Sequence, residues 1–365
     1  MNIERPTAIL NTAVAKRNIK RMAEKARRSD VRFRPHFKTH QSATIGEWFR
    51  AEGVSAITVS SLDMAEYFAE NGWDDITVAF PVNWLQIKLI KRLAERIRLN
   101  LLVESAESVE FLDQNLPSPV NIWLKVDTGY RRTGLAWSDS VSILEVAQAI
   151  QASKRLKLVG LLTHAGHSYA AKTDAAIRSV YDETVERLGY VRAHLAGEGI
   201  DGLEISIGDT PTCSIVDDFS AVDEIRPGAF VFYDWMQVEI GACKPEDIAV
   251  AVACPVVARQ TERGIFVIYG GAVHLSKDHT TLATGETSYG MIALPHAGGW
   301  GEAIPNTYVR SLSQEHGIVQ TDAAFMEQIK VGDVIMVLPA HTCLTCNLLK
   351  RYQTLDGDMI TMMGG

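Results

Sequence analysis

Leu156-Lys-Leu-Val-Gly-Leu-Leu162, a polar-faced block over residues 173–196, and Gly202-Leu-Glu-Ile-Ser-Ile207 make one strand–helix–strand unit. The two outer runs are short and apolar. The block between them is long, amphipathic and rich in Glu and Arg, as a surface helix requires. Runs like the outer two recur at 31–35, 56–60, 76–80, 98–103, 121–126 and 224–230, which brings the total to eight. Each gap has room for one helix, the alternation that builds a parallel sheet. Ile19, Met22, Ala23 and Ala26 fall at i, i+3, i+4 and i+7 of one such helix, and Asp63 or Ser105 can N-cap another. Eight units over about 230 residues match a (β/α)8 TIM barrel. A doubly wound sheet is the competing α/β reading, but eight units at even spacing favour the barrel.

Beyond Gly241 the texture changes. Residues 248–257, 264–269, 317–320 and 334–337 read as strands separated by Gly- and Pro-containing turns, with little helical periodicity. The expected architecture is therefore a barrel over 1–240 and a C-terminal, mostly antiparallel β domain over 241–365, which the first few residues can join.

Composition narrows the function classes. At 365 residues, 47% hydrophobic and 22% charged, the chain has ample material for a packed core and is neither disordered nor coiled coil. Its 36 basic and 44 acidic side chains give −8, which argues against non-specific nucleic-acid binding. The one basic cluster, Lys25, Arg27, Arg28, Arg32 and Arg34, reads as a solvated helix end. No apolar run reaches the roughly 18–20 residues of a membrane span, and the first ten residues lack a signal-peptide pattern. A cytoplasmic enzyme is the expectation. The five cysteines, Cys213, Cys243, Cys254, Cys343 and Cys346, are odd in number and do not suggest a disulfide framework.

In a barrel, chemistry belongs at the C-terminal ends of the strands. The first strand runs into Arg34-Pro-His36-Phe-Lys38-Thr-His40, an amine between imidazoles that suits a Schiff-base lysine. The fifth runs into Asp127-Thr-Gly129-Tyr-Arg131-Arg132-Thr-Gly134, which is either a salt-bridged turn or a guanidinium aimed at an anion or a ring nitrogen. After the sixth, His164-Ala-Gly166-His167-Ser168-Tyr169 gathers acid–base groups around one glycine. Gly208-Asp209-Thr210-Pro-Thr212 and Arg226-Pro-Gly228-Ala229 follow the last two strands, where barrels commonly cradle a phosphate. Asp209 fits such a cradle poorly, since a carboxylate repels phosphate. Finally, His341-Thr-Cys343 on an extended segment points imidazole and thiolate to one side, a pair suited to zinc. Cys343 and Cys346 also share C-x-x-C spacing, but the nearby histidine favours metal over redox chemistry.

Together with Tyr233-Asp234 and Gln314-Glu-His316-Gly, these motifs in this order resemble the D-threonine aldolase / D-serine dehydratase family of fold-type III pyridoxal-phosphate enzymes, relatives of alanine racemase. The resemblance runs over nearly the whole chain. It implies pyridoxal 5'-phosphate on Lys38, Arg132 or Tyr169 facing the pyridine nitrogen, and Thr210 with the backbone around Gly208, Asp209, Gly228 and Ala229 holding the phosphate beside Tyr233. The family usually carries Ser where this chain has Asp209, so a side-chain contact to phosphate is in doubt there. The resemblance also implies a divalent metal on His341 and Cys343, with zinc ahead of manganese or magnesium, a D-amino acid substrate and a homodimer.

What the resemblance implies chemically is a lyase of D-β-hydroxy amino acids. If Lys38 takes the Cα proton, loss of the β-hydroxyl yields a 2-oxo acid and ammonia. If a base such as His164 or His167 takes the β-hydroxyl proton, retro-aldol cleavage yields glycine and an aldehyde. His-x-Cys leans toward the dehydratase. An amino-acid racemase, which needs no metal, and a non-catalytic pyridoxal-phosphate binder are the alternatives.

Overall fold

The computed structural model describes residues 3–365, which fall into two compact units. One comprises Arg21–Lys38 and Phe49–Gly228; the other comprises the residues up to Lys20, Thr39–Trp48 and Ala229–Gly365. Where the sequence reading places a single boundary near residue 240, the units are thus discontinuous.

The first unit is built on eight parallel strands: Arg32–Phe33, Ile57–Val59, Asp75–Pro81, Arg98–Val103, Val120–Asp127, Leu156–Leu162, Glu204–Ile207 and Glu224–Ile225. Each pairs with its neighbour in the chain, and the last pairs with the first. A parallel bridge from His36 to Thr58, with Phe37 N donating to Thr58 O at 2.8 Å, closes the ring into the expected barrel. Strands buried on both faces become continuous apolar runs. Leu101–Val103 and Ile122–Leu124 are accordingly buried throughout, with Leu102, Trp123 and Leu162 packed together.

A polar chain ties several strands at their inner faces. Arg34 donates to Glu224 Oε2 (2.6 Å) and Asp75 Oδ1 (2.5 Å). Ser206 Oγ donates to Glu224 Oε1 (2.7 Å) and accepts from Arg226 Nε (2.7 Å). Buried charges persist only when paired and hydrogen-bonded in this way.

Two local expectations need correction. The last strand ends at Ile225 instead of running to 230, because Pro227 has no N–H to offer a ladder and residues 229–231 turn into a 3-10 helix. Asp63 is not a cap: Ser61 is, its hydroxyl accepting from Met64 N at 3.1 Å, and Asp63 sits in the first turn. Ser105 caps its helix as expected.

The second unit is a closed antiparallel barrel of six strands. In order around it come Val250–Gln260, Ile265–Tyr269, His316–Gln320, Tyr308–Leu312, Gly290–Ala293 and Val334–Pro339, which pairs back onto Val250–Gln260. Val252, Cys254 and Val256 alternate inward, as a two-residue period demands, and meet Phe266, Ile268, Ile335 and Val337 in the core. Thr7–Leu10 adds an antiparallel edge in the register Leu10↔Val250, and Arg351–Thr354 pairs parallel to it. Thr39–Trp48 belongs here too, since Met363 N donates to Gln41 O (2.7 Å) and Tyr352 Oη to His40 O (3.0 Å). No helix among the described residues is long and apolar enough to cross a membrane.

The expected extended segment at His341–Cys343 is absent. His341 is the residue before a helix, Thr342–Leu349, which follows directly on the strand Val334–Pro339. Its free N-terminal amide is met from elsewhere in the unit: Thr342 N donates to the Asp234 carboxylate at 3.0 Å.

Candidate active site

In the barrel unit the loops after the first, fifth, sixth, seventh and eighth strands carry the candidate groups. Lys38 is exposed, and His36 Nδ1 accepts from its backbone N–H at 3.3 Å. His164, largely enclosed, donates through Nδ1 to the carbonyl of Gly208 at 2.6 Å. A carbonyl can only accept, so the Nδ1–H tautomer is fixed and Nε2 is left as the acceptor. Burial, opposed by that bond and reinforced by the charges of Lys38, Arg132 and Arg226, pushes His164 down to about 3. The ring is therefore neutral at physiological pH. His167 differs, because its Nδ1 is buried with no hydrogen-bond partner among the described residues. The glycine between the two histidines leaves room for a neighbour: a Cβ on Gly166 would lie 2.5 Å from the Tyr130 ring, which would have to move aside.

The Gly208-Asp209-Thr210 segment forms a concave step. A Cβ on Gly208 would sit 2.7 Å from Arg226 Cβ, so only glycine lets the two strand ends approach. Asp209 is buried and caps the short helix Thr210–Ile215, accepting from Thr212 N (2.8 Å) and from Ser168 Oγ (2.7 Å). Burial pushes its carboxyl up, against those hydrogen bonds. Both bonds go to Oδ1, so that oxygen is committed to the protein. The hydroxyls of Thr210 and Thr212 are the reverse case, buried with no partner among the described residues. Thr210 N donates to Tyr169 Oη at 3.3 Å, so Tyr169 stands beside these two orphans. Behind the step, Lys25 Nζ donates to the carbonyls of Cys213 (3.0 Å), Ser214 (2.7 Å) and Val216 (2.8 Å).

Asp127 behaves as a turn former, its carboxylate accepting from Gly129 N (2.9 Å) and Arg131 N (3.0 Å). It presents Arg132, which is exposed and lies over the Tyr130 ring at 5.1 Å. Arg226, which the sequence offered only as a neighbour of Gly228, is fully buried and donates to Thr163 O at 2.5 Å. Gly228 is the last residue of this unit, and Ala229 begins the final segment of the other.

In the second unit, His341, Cys343 and Tyr233 come together. Tyr233 is buried with a left-handed backbone (φ 49°), and its carbonyl accepts from Thr342 Oγ1 at 2.6 Å. Cys343 is buried, with its sulfur 3.1 Å from Thr39 Oγ1. His341 donates through Nδ1 to the carboxylate of Asp278. Burial alone lowers a histidine, but hydrogen bonds to Asp278 and Cys343 outweigh it and raise His341 to about 11. Cys346 lies on the same helix, yet burial pushes its thiol up, which makes it a poor partner in a C-x-x-C redox pair. Among the described residues no group of three or more His, Cys, Asp or Glu is arranged to hold a metal ion. A cation on His341 and Cys343 would therefore have two protein donors, with its other positions left to water or substrate. Asp234 and Asp278 are functional candidates that motif reading missed, although Asp234 lies inside a quoted motif.

Comparison with known proteins follows the same division. The family described as alanine racemase, N-terminal domain, matches residues 10–234, and a serine dehydratase domain matches 249–355. The D-threo-3-hydroxyaspartate dehydratase of Delftia sp. (strain HT23) is 30% identical, covering 98% of this chain and 96% of that protein. The D-serine dehydratase of Dictyostelium discoideum is 28% identical, covering 98% and 94%. The solved structure of the Delftia enzyme superposes with a TM-score of 0.91 at 27% identity, covering 100% of this chain and 98% of that one. A cysteine-to-alanine variant of the same enzyme has been solved in a metal-free form.

Proposed function

The chain belongs to the pyridoxal-phosphate-dependent family built on the alanine racemase N-terminal domain, and from that premise we propose that it is a metal-assisted dehydratase of D-β-hydroxy amino acids. The observation that carries the reading is the end-to-end likeness, through both units, to a dehydratase of a D-3-hydroxy amino acid. The net reaction is substrate to 2-oxo acid plus ammonia, which balances without an oxidant or co-reactant.

Pyridoxal 5'-phosphate, anchored to the Lys38 amine, supplies an electron sink for charge developing at the substrate Cα. The residues present fit it. The unpartnered hydroxyls of Thr210 and Thr212 are suited to phosphate oxygens, with backbone amides around Gly208, Gly228 and Ala229 as further donors. Tyr169, at the Thr210 amide, goes with the phosphate end, and Arg132 is the group we assign to the ring. Asp209 holds the helix in place through Oδ1 and is given no phosphate contact in this reading.

The donor set His341 and Cys343 fits a divalent cation, zinc before manganese or magnesium because imidazole and thiolate are its preferred ligands. The metal-free variant of the Delftia enzyme supports a metal in a relative with this sequence pattern. A cation there supplies Lewis-acid polarisation of the β-hydroxyl. Lys38 Nζ would take the Cα proton. His164 stays neutral and orients the Gly208 carbonyl. A second reading, retro-aldol cleavage, has one observation in its favour: Nδ1 of His167 is buried with no partner among the described residues, which leaves it available to the role of base. The expected assembly is a homodimer and the expected location cytoplasmic.

Product analysis with D-serine, D-threonine and D-3-hydroxyaspartate, with and without chelator, tests the reading. A 2-oxo acid and ammonia, lost on chelation, are expected. Glycine and an aldehyde would make the protein an aldolase, metal-independent epimerisation a racemase, and no turnover of any substrate would overturn the lyase assignment.

A further inference from the structure

We propose that Asp278 is the positioning residue of the metal centre, holding His341 by its Nδ1–H so that Nε2 is the lone pair offered to the cation. The inference rests on the reading of His341 and Cys343 as metal ligands. Three observations carry it. Nδ1 of His341 donates to Asp278 Oδ2, and an imidazole bound to metal keeps only one N–H, so this bond leaves Nε2 as the nitrogen that can bind the cation. Asp278 is itself held in place: Ser276, in a left-handed conformation (φ 66°), accepts from Asp278 N through Oγ at 3.1 Å. The segment before it is locked to the helix that carries Cys343, since Thr345 Oγ1 donates to Leu275 O at 2.9 Å. Asp278, His341 and Cys343 are thus fixed in one frame inside one unit.

A loose carboxylate could not do this. Ordering a free side chain against an imidazole costs rotamer entropy that a pre-set loop has already met. A metal-bound histidine that donates its other N–H to a carboxylate is held in one orientation and made more basic, and losing the carboxylate weakens metal binding by about 10- to 100-fold.

The test is the Zn2+ dissociation constant of the cofactor-loaded protein, measured by competition with a chromophoric chelator, for the unsubstituted chain and for Asp278→Ala, Asp278→Asn and His341→Ala. Expected are a rise of about 10- to 100-fold for Asp278→Ala and a smaller one for Asp278→Asn, whose amide oxygen still accepts from Nδ1. His341→Ala should lose the most. The visible absorbance of bound cofactor should be unchanged in all three. Asp278→Ala binding Zn2+ as the unsubstituted chain does would overturn the proposal. So would Asp278→Asn losing as much as His341→Ala, because Asp278 would then be a ligand. Unchanged binding in His341→Ala would instead remove the metal assignment on which the proposal stands. Should Asp278→Ala fail to fold, Asp278→Asn carries the comparison.

Discussion

Thr210 and Thr212 each bury a hydroxyl that the protein does not satisfy, and such a group costs about 1–3 kcal/mol where it stands. Removing the hydroxyl should therefore spare the empty protein and penalise the loaded one. Thr210→Val and Thr212→Val are each expected to hold or raise the melting temperature of the cofactor-free chain. Each should raise the dissociation constant for pyridoxal phosphate by roughly tenfold, the worth of one hydrogen bond to a charged group. Spectroscopic titration reads the second effect; affinity in both variants unchanged from that of the unsubstituted chain would take the phosphate away from this step. Lys38→Ala should abolish the visible absorbance of bound cofactor and cut turnover by about 10²- to 10⁴-fold, the share of a positioned proton-transfer group. Persistence of that absorbance would remove the central assignment. The residues named so far were legible because each sits in a short motif after a strand. Asp278 was not: its partner His341 is 63 residues away, and Ser-Lys-Asp-His carries no spacing that announces a role.

Elements depend on contacts that single windows of sequence do not contain. The helix Thr342–Leu349 is short, with two threonines and two cysteines of modest helix propensity. It forms because Asp234, 108 residues earlier, caps its first amide. Nothing local signals that, so an extended segment was the natural reading. Thr210–Ile215 shows the same dependence at its other end. Six residues cannot hold a helix alone, and three of the terminal carbonyls accept from the one amine of Lys25. Lys25 was read from sequence as part of a solvated basic end, but burial lowers its pKa and its ammonium is committed to those carbonyls. Lys25→Met keeps the aliphatic stem and strands the acceptors. It should lower unfolding free energy by about 1–3 kcal/mol, seen as a lower urea midpoint at unchanged slope. An unchanged midpoint would mean that water replaces the amine without cost. Loss of cofactor affinity should accompany the change, because the clamp sets where Thr210 and Thr212 stand.

At the scale of the molecule, the eight-stranded barrel was legible because each strand pairs with its neighbour in the chain, so a periodic pattern encodes the whole ring. The second barrel was legible only in part, since Gly290–Ala293 sits between two strands that both come later in the chain, Tyr308–Leu312 and Val334–Pro339, and Thr7–Leu10 pairs with residues about 240 positions later. Each unit buries one histidine in neutral form: His40 in one and His164 in the other, both pushed down to about 3 chiefly by burial. In the unfolded chain both return to about 6.5. Below that pH the unfolded state binds protons that the folded state refuses, so acid lowers stability. The loss runs from about pH 6.5 down to about pH 3, at up to about 1.4 kcal/mol per pH unit for each histidine. Asp209 and Asp234 act in the opposite sense, because burial raises their carboxyls and the folded state takes up their protons first. A raw pH profile mixes the two effects, and a difference between variants separates them. His40 Nδ1 accepts from Ser42 N at 3.1 Å, an interaction that the amide oxygen of asparagine can reproduce. His40→Asn should therefore keep stability near pH 7 and flatten the acid slope of its unit's transition by up to about 1.4 kcal/mol per pH unit. Urea midpoints measured from pH 7 to pH 4.5 decide the matter: parallel profiles for the two proteins would mean that His40 gains its proton in the folded state as readily as in the unfolded one.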